Sequence, residues 1–109
     1  MIPILSLDDP RVDAYRDLAS PDRLTARGVF VAEGRLVVRR LVELREWHID
    51  SILLTHAAME HMADALLDVQ APVYLVDQSV MNGIAGFNIH RGCLALVKRP
   101  QTITLDRIA

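Results

Sequence analysis

The side chains with the most chemical potential are arginines at the ends of apolar runs. Arg23 and Arg27 precede the run Val29-Phe30-Val31-Ala32, and Arg35, Arg39 and Arg40 follow it. Arg91 lies beside His90 and Asn88 in a later polar stretch. A guanidinium presents a planar fork of donors that matches a phosphate or a carboxylate, so these positions suit contact with an anion. Arg39 and Arg40 also read as a solvated helix face, with Glu43 four residues beyond Arg39 and in reach of an ion pair. Arg23, Arg27, Arg35 and Arg91 fall at segment ends or in loops, where binding residues gather. Phe87 can stack on a base or plug the core beside Gly86.

Other chemistry is thinly represented. No phosphate-binding loop ends in Lys-Ser or Lys-Thr, and Gly83-Ile84-Ala85-Gly86 reads as helix termination. No Gly-x-Ser-x-Gly elbow occurs. The histidines are His48, His56, His61 and His90; His56 and His61 are five apart and do not stack on one helix face. With one cysteine there is neither a zinc pattern nor an internal disulfide, and a metal site is not expected. Cys93 sits in an apolar run and is expected to pack as a small hydrophobe. Glu33 directly follows a buried-strand pattern and precedes Gly34; it is expected to order that turn rather than to catalyse.

These residues need a scaffold. Asp8 and Asp9 can cap a helix that opens at Pro10, with Val12, Tyr15 and Leu18 three apart. Ser20-Pro21-Asp22 is a second cap or turn, and Gly28 ends that region. After the first strand at 29–32, residues 35–47 read as a helix with Val37, Val38, Leu41, Val42 and Leu44 on its apolar face. Ser51-Ile52-Leu53-Leu54-Thr55 is a second strand, and a helix over 57–69 buries Met59, Met62, Ala63 and Leu66. Pro72 starts a third strand through Val76, and Asp77 caps a short helix through Ile84. Residues 87–92 are a loop before a fourth strand at 93–97, closed by Lys98-Arg99-Pro100. Strands alternating with helices predict an α/β fold: a three-layer α/β/α sandwich with a mainly parallel four-stranded sheet.

Composition sets limits. The 109 residues, 51% hydrophobic and 24% charged, suit one ordered domain. No apolar run approaches the roughly 18 residues that span a bilayer, and Met1 to Ser6 lacks a basic region, so no membrane partner and a cytoplasmic location are expected. The formal net charge of -2 argues against strong non-specific nucleic-acid binding. Any nucleic-acid site must be a local arginine cluster.

Phe30-Val31-Ala32-Glu33-Gly34, followed by Val37-Val38 on a helix, resembles the Phe-x-x-Glu-Gly turn that opens the N-terminal domain of SpoU/TrmH RNA 2'-O-ribose methyltransferases. Tyr15-Arg16-Asp17-Leu18-Ala19-Ser20 and the stretch from Arg23 to Arg27 resemble the family's upstream helix and arginine-containing segment. Pro72-Val73-Tyr74-Leu75-Val76, Val80, and the run from Gly86 to Ala95 resemble its closing segment, with Arg91 where the family often has Gln. The resemblance spans about residues 9–100. It implies a substrate-recognition domain with the fold of the small ribosomal proteins that bind kinked RNA. Structured rRNA or tRNA is then the partner, not DNA, and the contacts fall to Arg23, Arg27, Arg35, Arg39, Asn88, His90 and Arg91, with Glu33 and Gly34 forming a structural turn. It further implies that residues 1–100 are this domain and 101–109 a linker towards an absent knotted domain. That domain would carry S-adenosylmethionine, the catalytic residues and the homodimer interface; the present chain is expected to have no catalytic residue, no cofactor of its own and no metal. A free-standing RNA-binding protein and a non-RNA interaction module with the same fold are the alternatives.

Overall fold

Apolar residues alternate along the strands, and that alternation sorts the core into two layers. A computed structural model describes residues 1–85 and 92–99 of the chain. Strands β1 (Ile2–Pro3), β2 (Val29–Glu33), β3 (Ile49–Thr55), β4 (Val73–Val76) and β5 (Cys93–Lys98) form one sheet in the order β1-β4-β3-β5-β2. On one face Ala32, Ile52, Leu54, Val73, Cys93, Ala95 and Val97 pack with residues of helices α2 (Arg35–Leu44) and α3 (His56–Met62). On the other, Leu53, Tyr74, Val76 and Leu94 pack with a 3₁₀ helix at Pro10–Ala19 and with α4 (Gln78–Ala85). A short helix α1 (Pro21–Ala26) lies against the 3₁₀ helix and β2.

The sheet has five strands, not the expected four. Two residues carry no periodicity, so β1 leaves no signal in the sequence. Pro3 is tolerated because an edge strand has a side that needs no ladder donor, and the Ile4 N–H continues the pairing to the Leu75 carbonyl at 2.8 Å. β1, β4 and β3 are parallel neighbours, while β5 is antiparallel to both β3 and β2. An apolar run does not encode its own direction. Here β5 begins beside the carboxyl end of β3, where the Thr55 N–H donates to the Gly92 carbonyl at 2.9 Å, so it must run back.

Several local expectations shift for physical reasons. The segment opening at Pro10 is 3₁₀ rather than α, and its apolar spacing of three is the 3₁₀ repeat. Val12 and Tyr15 are fully buried by it. Ser20-Pro21 opens a real helix, α1. α2 stops at Leu44 because Arg45 takes a left-handed φ of 57°. Val38 and Leu41 are its buried residues, whereas Val37 and Leu44 stay exposed. α3 starts at His56, one residue early, because the Thr55 hydroxyl accepts the Ala58 N–H at 3.2 Å. It ends at Met62, and residues 63–68 continue as turns in which Leu66 remains buried.

Because β1 to β4 run the same way, their carboxyl ends share one end of the sheet. That end holds Glu33, Gly34, Thr55 and the start of β5. The opposite end holds Gly28, Pro72 and the last residues of β5: the Arg99 N–H donates to the Gly28 carbonyl at 2.8 Å and the Lys98 N–H to the His48 carbonyl at 2.9 Å.

Candidate nucleic-acid interface

Arg23 and Arg27 are one helical turn apart, and α1 presents both towards the preceding 3₁₀ helix. Arg27 caps the carboxyl end of α1, its N–H reaching back to the Arg23 and Leu24 carbonyls at 3.1 Å. Both guanidinium groups meet Asp17. The Arg27 Nε donates to Asp17 Oδ2 at 3.0 Å, and Arg23 Nη1 stands 3.6 Å from Asp17 Oδ1. Asp17 is only 8% exposed, while Arg23 and Arg27 remain on the surface. A buried carboxylate must be paired, and here two cations share one anion. The group carries a net positive charge and keeps unused donors towards water.

Arg35 lies at the other end of the sheet. It is the first residue of α2 and is exposed, directly after Gly34. Gly34 has φ 105°, a conformation that other residues adopt only under strain, and its N–H donates to the Cys93 carbonyl at 2.9 Å. The turn thus rests on the Gly34 backbone: the N-terminus of α2 receives no side-chain cap, and Glu33 is exposed. Asn88, His90 and Arg91, together with Phe87, lie outside the described residues.

Arg39 has a different setting from both. Its Nη1 and Nη2 donate to Asp64 at 2.9 and 3.1 Å, and Nη2 also reaches the His61 carbonyl at 2.6 Å. The partner is therefore Asp64, across the interface with α3, and not Glu43 on the same helix. The hydrogen bond to Asp64 raises the Arg39 pKa, and the same bond lowers that of Asp64. The structure thus brings Arg23 and Arg27 together, places Arg35 at the far end of β2, and ties Arg39 to a carboxylate.

Lys98 and Arg99, which by sequence only close a strand, return to the residues that follow Arg27. β2 and β5 pair with Val29 opposite Lys98. The Arg99 Nε donates to the Val29 carbonyl at 3.2 Å, and its guanidinium lies 5.8 Å from the centre of the Phe30 ring. The usable signal was the Lys98-Arg99 pair itself, but its meaning depends on antiparallel pairing. Asp17 carried no distinct signal among the other helix-face acids.

Among the described residues no group of three or more His, Cys, Asp or Glu is arranged to hold a metal. Cys93 is fully buried, and loss of solvent pushes its thiol up to about 12, against a smaller opposing effect of Arg35. His56 stands 3.4 Å from Asp77, both exposed, and the exposed His48 stands 3.2 Å from the half-buried Asp50. No helix of the described residues is long and apolar enough to cross a membrane.

The chain is similar to proteins named as RNA methyltransferases. No family model matches the chain. Over 96 residues it is 38% identical to proteins named uncharacterized tRNA/rRNA methyltransferase in Mycobacterium bovis and in Mycobacterium tuberculosis. The match covers 84% of this chain and 33% of each relative, so the chain spans about a third of the length of the curated relatives it matches. An rRNA methyltransferase from Sinorhizobium meliloti has the same fold over 92% of this chain and 38% of its own, with a TM-score of 0.66 at 18% identity. A structure described as an RNA 2'-O ribose methyltransferase superposes with a TM-score of 0.69 at 16% identity, over 93% of this chain and 39% of its own. The resemblance to SpoU/TrmH-type RNA methyltransferases that the sequence suggested is borne out by these homologues.

Proposed function

We propose that this chain is the RNA-substrate recognition domain of a SpoU-type, S-adenosylmethionine-dependent 2'-O-ribose methyltransferase acting on rRNA or tRNA in the cytoplasm. The observation that carries this reading is the 38% identity over 84% of the chain to tRNA/rRNA methyltransferases of which it spans only a third. A third of an enzyme that aligns this fully is a structural unit with a task of its own. Selecting one ribose in a folded RNA is a placement problem, met by contacts to phosphates and 2'-hydroxyls. The cationic side chains Arg23, Arg27, Arg35, Arg39 and Arg91, with Asn88 and His90, are the candidate contacts.

In this reading the chain itself holds no methyl donor. S-adenosylmethionine requires a cleft that encloses an adenine ring and a sulfonium centre. A groove of about 790 Å³ beside α2 is wide open and lined by charged residues of both signs, among them Arg39, Glu43, Asp64 and Asp68. In this proposal the donor, the catalytic residues and the dimer interface belong to the other two thirds of the relatives' length. Resemblance to kinked-RNA ribosomal proteins is part of the same proposal.

Two titrations test it. Fluorescein-labelled total tRNA or an rRNA hairpin is expected to bind the chain with an affinity that falls as salt rises. Calorimetry with S-adenosylmethionine is expected to show no heat of binding. Tight donor binding by these 109 residues, or RNA binding absent even at low salt, would sink the proposal.

A further inference from the structure

Most cations with partners in this protein are neutralised one for one. Arg11 pairs with Asp9, Arg16 with Asp13 and Arg39 with Asp64. The end of the sheet that holds the start of β2 and the finish of β5 breaks that pattern. The backbone returns Lys98 and Arg99 there to the residues that follow Arg23 and Arg27, through the Arg99 to Gly28 bond and the pairing of Val29 with Lys98, with the Arg99 guanidinium over Phe30 and the arginine pair on Asp17 of the 3₁₀ helix. The acids beside them are Asp17, buried and shared by two arginines, Asp50, paired with His48, and Asp22, exposed in the first turn of α1. The Asp17 cluster, two arginines on one carboxylate, is thus net positive on a chain whose formal charge is -2.

Three of the four are also held in place. Asp17 grips Arg23 and Arg27, and Arg99 is held by the Val29 carbonyl and the Phe30 ring. Side chains fixed before binding lose less entropy when they meet a ligand. Arginine forks anchored on one side present their remaining donors to an anion on the other. Arg35, Arg40 and Arg45 lack this organisation. Arg35 and Arg40 are five apart on α2, which turns them about 140° from each other, and Arg45 lies beyond the helix in a left-handed conformation.

We propose that Arg23, Arg27, Lys98 and Arg99 form the phosphate-contact surface through which this domain holds RNA, and that Asp17 is the buried positioning residue that sets its arginine pair. This rests on the RNA-recognition reading above and deepens it. It puts the phosphate backbone at the amino end of β2, at the opposite end of the sheet from Arg35 and Gly92. Asp17 touches no RNA; it acts only through the two guanidinium groups.

The test is an anisotropy titration of the chain against fluorescein-labelled total tRNA, repeated between about 50 and 200 mM salt. Four phosphate contacts predict a log–log salt slope of roughly -3. The double variants Arg23→Ala/Arg27→Ala and Lys98→Ala/Arg99→Ala are each expected to weaken binding about tenfold and to flatten the slope by roughly 1.5. Arg40→Ala removes one positive charge elsewhere and is expected to change affinity less than about twofold. Asp17→Asn separates positioning from charge. It makes the chain more positive, yet binding is expected to weaken about fivefold because the arginine pair is no longer gripped. Arg27→Lys keeps the charge but loses the fork, and is expected to weaken binding about threefold with the slope unchanged. It decides the matter if Asp17→Asn loses its cooperative melt. Tighter binding by a folded Asp17→Asn, or double variants that behave like Arg40→Ala, would overturn the proposal and leave RNA recognition standing. A wild-type chain that binds no RNA would remove both.

Discussion

At the carboxyl end of β3 the backbone of Gly92 lies against the Thr55 hydroxyl, whereas at the other end of the same sheet two arginines converge on Asp17. The first end is determined by close packing. Gly34 and Gly92 take positive φ, their amide and carbonyl groups stitch β5 to its neighbours, and Cys93 is sealed beneath them. The second end is determined by charge. A buried carboxylate organises exposed cations, and the backbone bond from Arg99 to Gly28 brings a second basic segment alongside. One sheet thus carries an end close-packed around Gly92 and an electrostatic end whose arginines stay on the surface.

The sharpest contrast concerns Cys93. With its thiol pushed up to about 12 from 9.0 by burial, the native protein at pH 8 should hold roughly a thousandfold less thiolate than an exposed cysteine. Reaction with a disulfide reagent is then expected to be negligible in buffer and rapid in denaturant. Fast labelling of the folded protein would show that the packed end opens.

Gly92→Ala attacks the same end sterically. The new Cβ would meet Thr55 Oγ1 at 2.4 Å at a φ of +58°. A loss of about 2–4 kcal/mol is expected from the clash and the left-handed backbone together. A urea titration checks it through a lowered midpoint at constant slope. An unchanged midpoint would mean that this end is not close-packed.

Tyr15→Phe probes the core between the two ends. The Tyr15 hydroxyl and Ser51 Oγ are 2.7 Å apart and both residues are buried. Removing the phenol strands Ser51, at about 1–2 kcal/mol. Adding Ser51→Ala should recover part of that loss in the same urea assay, because no buried hydroxyl is then left without a partner.

The smallest effect is electrostatic and exposed. The Arg11 side chain holds the Asp9 carboxyl down to about 2, with help from the Arg11 N–H. A depressed carboxylate stabilises the fold above its ordinary value near 3.8 and loses that contribution as pH falls towards 2. The melting temperature is therefore expected to dip slightly between those values, and Arg11→Ala should remove the dip. A dip that persists in Arg11→Ala would assign it to other carboxylates.

Much of the scaffold was legible because burial leaves periodic traces. The three-residue spacing of Val12, Tyr15 and Leu18 marks a helix, and only the structure gives its 3₁₀ geometry. Three features of the strand and helix boundaries were not legible. β1 is too short to show alternation, Arg45 ends α2 by adopting φ 57° without a glycine, and Thr55 caps α3 with a side chain that also reads as strand. At the candidate interface, Arg23 and Arg27 stood out by position, while Lys98 and Arg99 looked like a strand terminus.

The sequence by itself determined which residues are apolar, where glycine permits a turn and how strands and helices alternate, because these depend on neighbours along the chain. It also carried the Phe30-to-Gly34 and Gly86-to-Ala95 signatures that led to the RNA methyltransferases. Only the tertiary structure decided which charges meet. Asp17 reaches Arg27 across ten residues, Arg39 reaches Asp64 across 25, and Arg99 reaches Val29 across 70. Such pairs follow from strand order and direction, and β5 alone running against the other four is what returns Lys98 and Arg99 to the arginines before β2.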